Sequence, residues 1–422
     1  MTTAPRKRSA FANIFIVSSG NFLEMYDFMV FGYYAKAIGK TFFPTGNEFA
    51  SLMLALMTFG AGFLMRPVGA LVLGAYIDRN GRRKGLLLTL ALMGAGTLAI
   101  ALMPGYAKIG VLAPVLILLS RLVQGLSAGV EVGGVSVYLS EIATPGRRGF
   151  YVAWQSASQQ VAVMFAAFVG LMLHSFLTPA QVTGDGWRIP FLIGSLMVPF
   201  LFVIRRLLEE SPAFDASQPR PSLGALYRSI ANNLSVVLAG MFTAVMTTVF
   251  FYMITAYTPT YGNSVLHLSA VGAMLVTLCV GATNFVLLPV MGAVSDRIGR
   301  RPLLIGAALA AIVTGYPALW WLVSEPSVAR LLTVELWLAL VYATYNGAMI
   351  VHLTEIMPQQ VRTTGFSLSY SCATAIFGGF TPAFATWLIA KTGDRAIPGA
   401  WLSLAAAVSL AAVLLTRKEK AR

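Results

Sequence analysis

Gly74-Ala75-Tyr76-Ile77-Asp78-Arg79-Asn80-Gly81-Arg82-Arg83 returns 218 residues later as Gly292-Ala293-Val294-Ser295-Asp296-Arg297-Ile298-Gly299-Arg300-Arg301. Gly74, Asp78, Arg79, Gly81, Arg82 and Arg83 keep their places at one offset, which points to an internal repeat. Each copy follows a long apolar run. A second pair repeats at an offset of 214, where Glu141 precedes Arg148-Gly149 by seven residues and Glu355 precedes Arg362 by seven. Glycines allow tight turns there, and an aspartate at a helix end can meet arginines and the next helix's N-terminus. Such a clasp, drawn from Gly74, Asp78, Arg79, Gly81, Arg82, Asp296, Arg297, Gly299, Arg300, Glu141, Arg148, Glu355 and Arg362, can hold one conformation closed. The plainer alternative is that these residues only set topology.

Outward from these loops the chain is apolar. Of its 422 residues, 57% are hydrophobic and 11% charged, too little polar surface to coat a water-soluble globule. A bilayer core of about 30 Å takes roughly 20 apolar residues as a helix. Counting runs on that basis predicts twelve spans, at 11–36, 49–77, 86–107, 111–139, 150–177, 187–208, 231–257, 266–294, 302–323, 327–353, 361–391 and 397–416. Numbered in that order, they give an all-α polytopic membrane protein in two parallel six-helix halves, 1–208 and 231–422, with 209–230 as a cytoplasmic linker. The first run resembles a signal peptide after Arg6, Lys7 and Arg8, but its length and its acids Glu24 and Asp27 favour a retained helix.

The net charge of +14 would suggest nucleic acid in a soluble protein. Its distribution argues otherwise. Of 30 Lys and Arg, seven (Lys36, Lys40, Lys108, Arg188, Arg330, Lys391, Arg395) fall on one predicted face, Arg66 and Arg121 fall within spans, and the rest share the face of the N-terminus. That asymmetry predicts cytoplasmic termini. Cys279, Cys372 and the scattered histidines at 174, 267 and 352 have neither metal-ligand nor disulfide spacing. No nucleophile, phosphate loop or metal cluster points to an enzyme, and nothing asks for a cofactor. Two six-helix halves can enclose a pathway without a partner, so a monomer is expected.

An ionisable side chain at bilayer depth costs roughly 2.5–3.5 kcal/mol on insertion scales, so each one needs a reason. Asn21, Glu24 and Asp27 recur at i, i+3, i+6 in span 1 and form one polar stripe. Desolvated carboxyls there can take up and release protons, or simply pair with arginines. In span 4, Arg121, Gln124 and Glu131 share a side, Glu131 lying about 15 Å along the helix from Arg121. Gly125 and Gly129 let a neighbour approach. Arg121 is the leading anion ligand, because a guanidinium offers a fixed fork of donors to a carboxylate and keeps its charge when buried; neutralising Glu24 or Asp27 is its other reading. Arg66 of span 2 enters a cleft or snorkels toward the cytoplasm. Arg188 is a ligand candidate or an interfacial anchor. Gln155, Gln159, Tyr252, Asn284, Tyr342, Tyr345 and Asn346 are neutral candidates, any of which can instead serve interhelical hydrogen bonding or packing. Glu24, Asp27 and Glu131 are the candidate proton-coupling groups.

The paired loops and Arg121-x2-Gln124-Gly125 resemble the signature motifs of the major facilitator superfamily over the whole chain. Gly20-Asn21-x2-Glu24-Met25-Tyr26-Asp27-Phe28, Arg66-Pro67-Val68-Gly69, Gly186-Trp187-Arg188-Ile189-Pro190-Phe191 and Glu209-Glu210-Ser211-Pro212 resemble its metabolite:proton symporter family, most nearly the bacterial citrate and tricarballylate proton symporters. Tyr76 stands where the first loop motif usually has an aliphatic residue. The resemblance implies a bacterial inner-membrane protein that imports a di- or tricarboxylate with protons, with the span 1 acids and Arg66 as functional positions. Other members take dicarboxylates or zwitterions such as betaine and proline. Mechanistically, protonation of Glu24 or Asp27 would free Arg121 for a substrate carboxylate before the halves rock.

Overall fold

The structure, a computed structural model, describes residues 21–80, 82–129, 131–206, 224, 228, 231–358 and 362–416, and these contain helices but no strand. Among them, nine helices are long and apolar enough to cross a bilayer: Glu48–Leu73, Leu112–Ile142, Arg148–Phe176, Leu234–Val265, Ala270–Ile298, Arg300–Ser324, Val328–Ile356, Arg362–Thr392 and Pro398–Leu415. Pro179–Gly186 and Arg188–Val203 together make a tenth, bent by 47°. Leu87–Leu102 is a shorter apolar helix at the place of span 3, and Asn21–Tyr33 with Ala35–Phe42 occupies that of span 1. Among the described residues, each of the twelve apolar runs thus corresponds to helix. Most of the proposed linker, 209–230, falls outside the described residues.

Helix ends follow local chemistry. Asn47 Oδ1 accepts from Phe49 N and Ala50 N at the start of span 2, Ser269 Oγ from Gly272 N at span 8, and Ser327 Oγ from Arg330 N at span 10. Each satisfies a donor the helix cannot pair internally. Between spans 8 and 9 the chain turns at Gly299 with φ of 93°, a conformation that favours glycine.

Span 7 runs beyond the predicted 257, reaching Val265 through two wide π turns, Met253–Tyr257 and Tyr261–Val265. Pro259 lies between them in the short turn Thr258–Thr260. A proline in mid-helix lacks a donor and collides with the carbonyl four residues back; widening the preceding turn places it where a first-turn proline is tolerated. Span 11 has a third such turn at Thr374–Gly378.

Spans 2 and 4 cross so tightly that a Cβ on Gly125 would lie 1.6 Å from the Gly62 carbonyl oxygen, and one on Gly129 2.0 Å from that of Arg66. This close crossing fixes the level at which Arg66 and Arg121 meet. The two halves pack mainly through span 5 against span 8, with Gly149 facing Gly292. They also touch at both ends of the molecule. Gly133 meets Ser367 toward the Asp296 end, while Gly60 meets Phe380 and Gly32 meets Ala256 toward the other.

Candidate functional site

Between those two zones of contact lies a buried polar cluster contributed by spans 1 to 4. Glu24 and Asp27, three residues apart on span 1, point to different partners. Arg66 Nη2 donates to Glu24 Oε1 at 2.7 Å, with both side chains buried. Asp27 accepts through Oδ2 from the Thr97 hydroxyl of span 3 and, at 2.7 Å, from Gln124 Nε2 of span 4. Asp27 Oδ1 has no hydrogen-bond partner among the described residues.

Arg121 forms no ion pair among the described residues. Its Nη1 donates to Gln124 Oε1 at 2.7 Å, whereas Nε and Nη2 find no partner, although the side chain is fully buried. The guanidinium carbon instead lies 4.2 Å from the ring centroid of Phe28, 4.5 Å from that of Phe31 and 5.6 Å from that of Phe59. Arg66 reaches Phe28 from 4.9 Å and Phe63 from 4.5 Å. Aromatic faces offset part of the desolvation cost of a cation but supply no acceptor in the guanidinium plane. Gly62 leaves open the space beside Arg121 Nε, where a Cβ would stand 3.5 Å away. The arrangement is a positive fork whose in-plane donors are incompletely used.

The C-terminal half closes over this cluster with aromatic groups. Tyr252, the residue before the first wide turn of span 7, packs on Phe63 at 4.9 Å and Phe59 at 6.0 Å. Tyr252 and Tyr370 both lie within the electrostatic reach of Arg66 and Glu24. Gly379, just after the wide turn of span 11, abuts Phe63.

A family model described as Major Facilitator Superfamily matches residues 17–382. The chain belongs to the major facilitator superfamily. It is 55% identical to a citrate-proton symporter of Salmonella typhi, over 98% of this chain and 95% of that one. It is 31% identical to a proline/betaine transporter of Salmonella typhimurium, over 93% of this chain and 80% of that one. Among solved structures, a D-xylose-proton symporter superposes with a TM-score of 0.76 over 97% of each chain at 18% identity, a likeness of fold.

In this major facilitator chain the remaining candidates separate. Gln155 is buried, with Oε1 accepting from Ser156 Oγ and Nε2 unpartnered; Gln159 is also buried. Asn346 Nδ2 donates to the Tyr342 hydroxyl at 3.2 Å and leaves Oδ1 unpartnered. Tyr345 is committed elsewhere, donating to Thr243 O at 2.8 Å. Arg188 lies at the molecule's edge, stacked on Trp187 and donating to Ala101 O at 2.9 Å and Asp185 at 3.1 Å, the arrangement of an anchor. The side chains of Asn21, Glu131, Asp78, Arg79 and Arg82 lie outside what the structure describes, as do the surroundings of Gly74 and Gly81.

The second loop forms a clasp, though not with the next helix in sequence. Asp296 accepts from Gly149 N at 2.8 Å and Phe150 N at 3.0 Å, so it caps span 5 in the other half. Arg300 ties Asp296 at 2.7 Å to Glu355 at 3.1 Å. The start of span 9, by contrast, follows directly on Gly299, leaving the Asp296 carboxylate free to reach across the span 5–span 8 contact. Arg297 lines an apolar groove beside Phe150 and Trp154. Arg362 donates to Met357 O, and Glu141 and Arg148 are exposed without an ion pair among the described residues.

Thr97 and Tyr370 join the cluster without having been singled out by sequence. Asn284 of span 8, a candidate from sequence, is buried with its amide unpartnered among the described residues, and so is Gln160 of span 5, which was not singled out. Glu335, a buried acid in span 10, stands apart from it.

Proposed function

We propose that this chain imports citrate, or a closely related tricarboxylate, together with protons by alternating access across a bacterial inner membrane, with its termini on the cytoplasmic side. The observation that carries the anion is Arg121: a fully buried guanidinium with two nitrogens unpartnered and no direct ion pair among the described residues, held off Asp27 by Gln124. A desolvated cation in that state is stabilised by an anion that fills the fork. Citrate as that anion rests on the 55% identity to the citrate-proton symporter.

The proton enters the same scheme through Asp27. As a carboxylate it holds the Gln124 amide by a charge-assisted bond, and Gln124 in turn occupies Arg121 Nη1. A proton on Asp27 weakens that hold, so Gln124 can turn and give up Nη1 to the substrate. Glu24 and Arg66 form the adjoining pair that a second substrate carboxylate can divide. The Asp296 clasp holds one end shut, and the aromatic contacts of Phe59, Phe63 and Tyr252 close the other. Asn21, Glu131, Gln155, Gln159 and Asn346 remain candidate contributors, and one chain suffices for the pathway.

The test is uptake of labelled citrate into proteoliposomes under an imposed inward proton gradient, competed with tricarballylate, succinate and betaine. Gradient-stimulated citrate uptake blocked by polycarboxylates and not by betaine is the expected result. Betaine competition without citrate uptake would transfer the function to a compatible-solute carrier.

A further inference from the structure

Glu335 is an acid that the scheme above does not use. It lies in span 10, 1% exposed, on the helix face shared with Leu331, which reaches Gly262 of span 7. Oε1 contacts Thr258 Oγ1 at 3.0 Å and Oε2 has no hydrogen-bond partner among the described residues. From span 7 the titratable neighbour is Tyr261, whose hydroxyl donates to Arg395 O at 2.7 Å; Tyr257 behind it bonds Thr386. On its own helix the nearest charge is Arg330, bound at 2.5 Å to Glu325. Asp394 takes the hydroxyl of Tyr316 from span 9. Span 8 presents Ala273 at this level, and among the described residues no charged side chain of spans 5, 8, 9 or 11 acts on Glu335.

Hydrogen counting bears on such a carboxyl because Thr258 is its one hydrogen-bond partner among the described residues; Asp27 differs, since its Oδ2 keeps the Gln124 amide as a donor whether the Thr97 hydrogen turns to it or to Met93 O. Thr258 Oγ1 also lies 3.2 Å from Met253 O, the carbonyl that opens the first wide turn of span 7. Threonine has one hydroxyl hydrogen, and a carboxylate and a carbonyl both only accept. With Glu335 ionised, one of the two contacts has no hydrogen, and the charge sits buried with no cation acting on it among the described residues. With Glu335 protonated, its O–H donates to Thr258 Oγ1, the Thr258 hydrogen goes to Met253 O, and both contacts are satisfied.

We infer that Glu335 is a second proton-binding site, occupied in this closed conformation, and that Thr258 passes its state to the irregular turns of span 7. Those turns touch span 1, where Thr260 Oγ1 donates to Gly32 O at 3.4 Å and Ala256 abuts Gly32. The proton is taken up from water when the span 7–span 10 packing opens at the end opposite Asp296, is held through this closed conformation, and is given up to water on the other side when the Asp296 end opens; returned to the side it came from, it would not be coupled to import. Two protons then accompany one substrate, one through Asp27 and one through Glu335. The coupling count rests on the proton-symport reading, whereas the protonation of Glu335 does not.

Infrared pH-difference spectra of the full-length protein in liposomes test the site itself. The wild type should show at neutral pH a protonated-carboxyl band that Glu335→Gln lacks; identical bands in both overturn the inference. Thr258→Val, which keeps the acid, should move that band, and an unmoved band removes Thr258 from the link. For transport, each coupled proton multiplies the accumulation limit by about tenfold per pH unit of gradient. With the membrane potential clamped, Glu335→Gln should lower citrate accumulation by that factor, and an unchanged limit also overturns the inference. Wild-type failure to accumulate citrate would count against the substrate reading alone, since the infrared bands still decide this one.

Discussion

Asp27 and Arg121 are joined through a single side chain, Gln124, whose amide nitrogen lies 2.7 Å from the aspartate and whose amide oxygen lies 2.7 Å from the guanidinium. The amide keeps the two charges apart while letting each sense the other. Gln124→Leu preserves bulk and removes both bonds. The charges are then free to pair directly, which uses the donors an anion needs. Hydrogen bonds to charged groups are worth about 1.5–3 kcal/mol each, so citrate uptake should fall by about tenfold or more. Initial rates in proteoliposomes measure this, and wild-type uptake by Gln124→Leu would remove the relay from the mechanism.

Arg121→Lys tests the fork rather than the charge. An ammonium keeps the positive charge but has no planar pair of donors, and its shorter reach takes it from the faces of Phe28 and Phe31. Truncating one side of a buried charged contact costs about 2–5 kcal/mol, which predicts citrate binding at least about 30-fold weaker. Calorimetry on purified protein gives the number. Unchanged affinity in Arg121→Lys would mean that charge alone recruits the anion.

How much of this was open to sequence reasoning follows from what the bilayer enforces. The apolar runs were legible because a span needs its length, and Glu24, Asp27, Arg66 and Arg121 because a charge in such a run stands out. Their pairing was not legible. Whether Glu24 meets Arg66 or Arg121 depends on how far each helix is rotated, and that is set by the tight crossing of Gly62 on Gly125. Thr97 gave no signal, because intramembrane hydroxyls routinely bond their own helix, as Thr97 also does to Met93 O at 2.9 Å. Glu335 carries the same signal as the span 1 acids, a carboxyl inside an apolar run, and the sequence reading nonetheless passed over it. The Asp296 clasp shows the limit of local reading: the loop predicted a capped helix, but the helix is the one that starts at Arg148.

That clasp makes its own prediction. Both Asp296 oxygens are used on the first amides of span 5, and Arg300 holds the carboxylate in place. Losing an N-terminal cap costs about 0.5–2 kcal/mol, enough to shift a balance between conformations severalfold. Asp296→Ala should therefore open this end of the molecule more often. A single cysteine at Ser367, which faces Gly133 across the closed contact, reports it in a background lacking Cys279 and Cys372. Faster labelling by a membrane-impermeant maleimide in Asp296→Ala is expected, and equal rates with and without the carboxylate would show that the clasp does not govern this end.

The Glu24–Arg66 pair raises a different question, whether a buried ion pair is there for stability or for coupling. Removing one member leaves an uncompensated charge and typically costs about 3–5 kcal/mol, while replacing both by neutral groups is often close to neutral. Glu24→Gln and Arg66→Gln should each lower the unfolding temperature in detergent, and the double variant should recover most of the loss. A purely structural pair would restore proton-driven citrate accumulation in the double variant along with its stability. In the scheme proposed for this chain the pair is divided by a substrate carboxylate, so the double variant should be stable yet accumulate little citrate. Parallel recovery of both properties would take Glu24 and Arg66 out of the transport cycle and leave Asp27, Gln124 and Arg121 as its polar core.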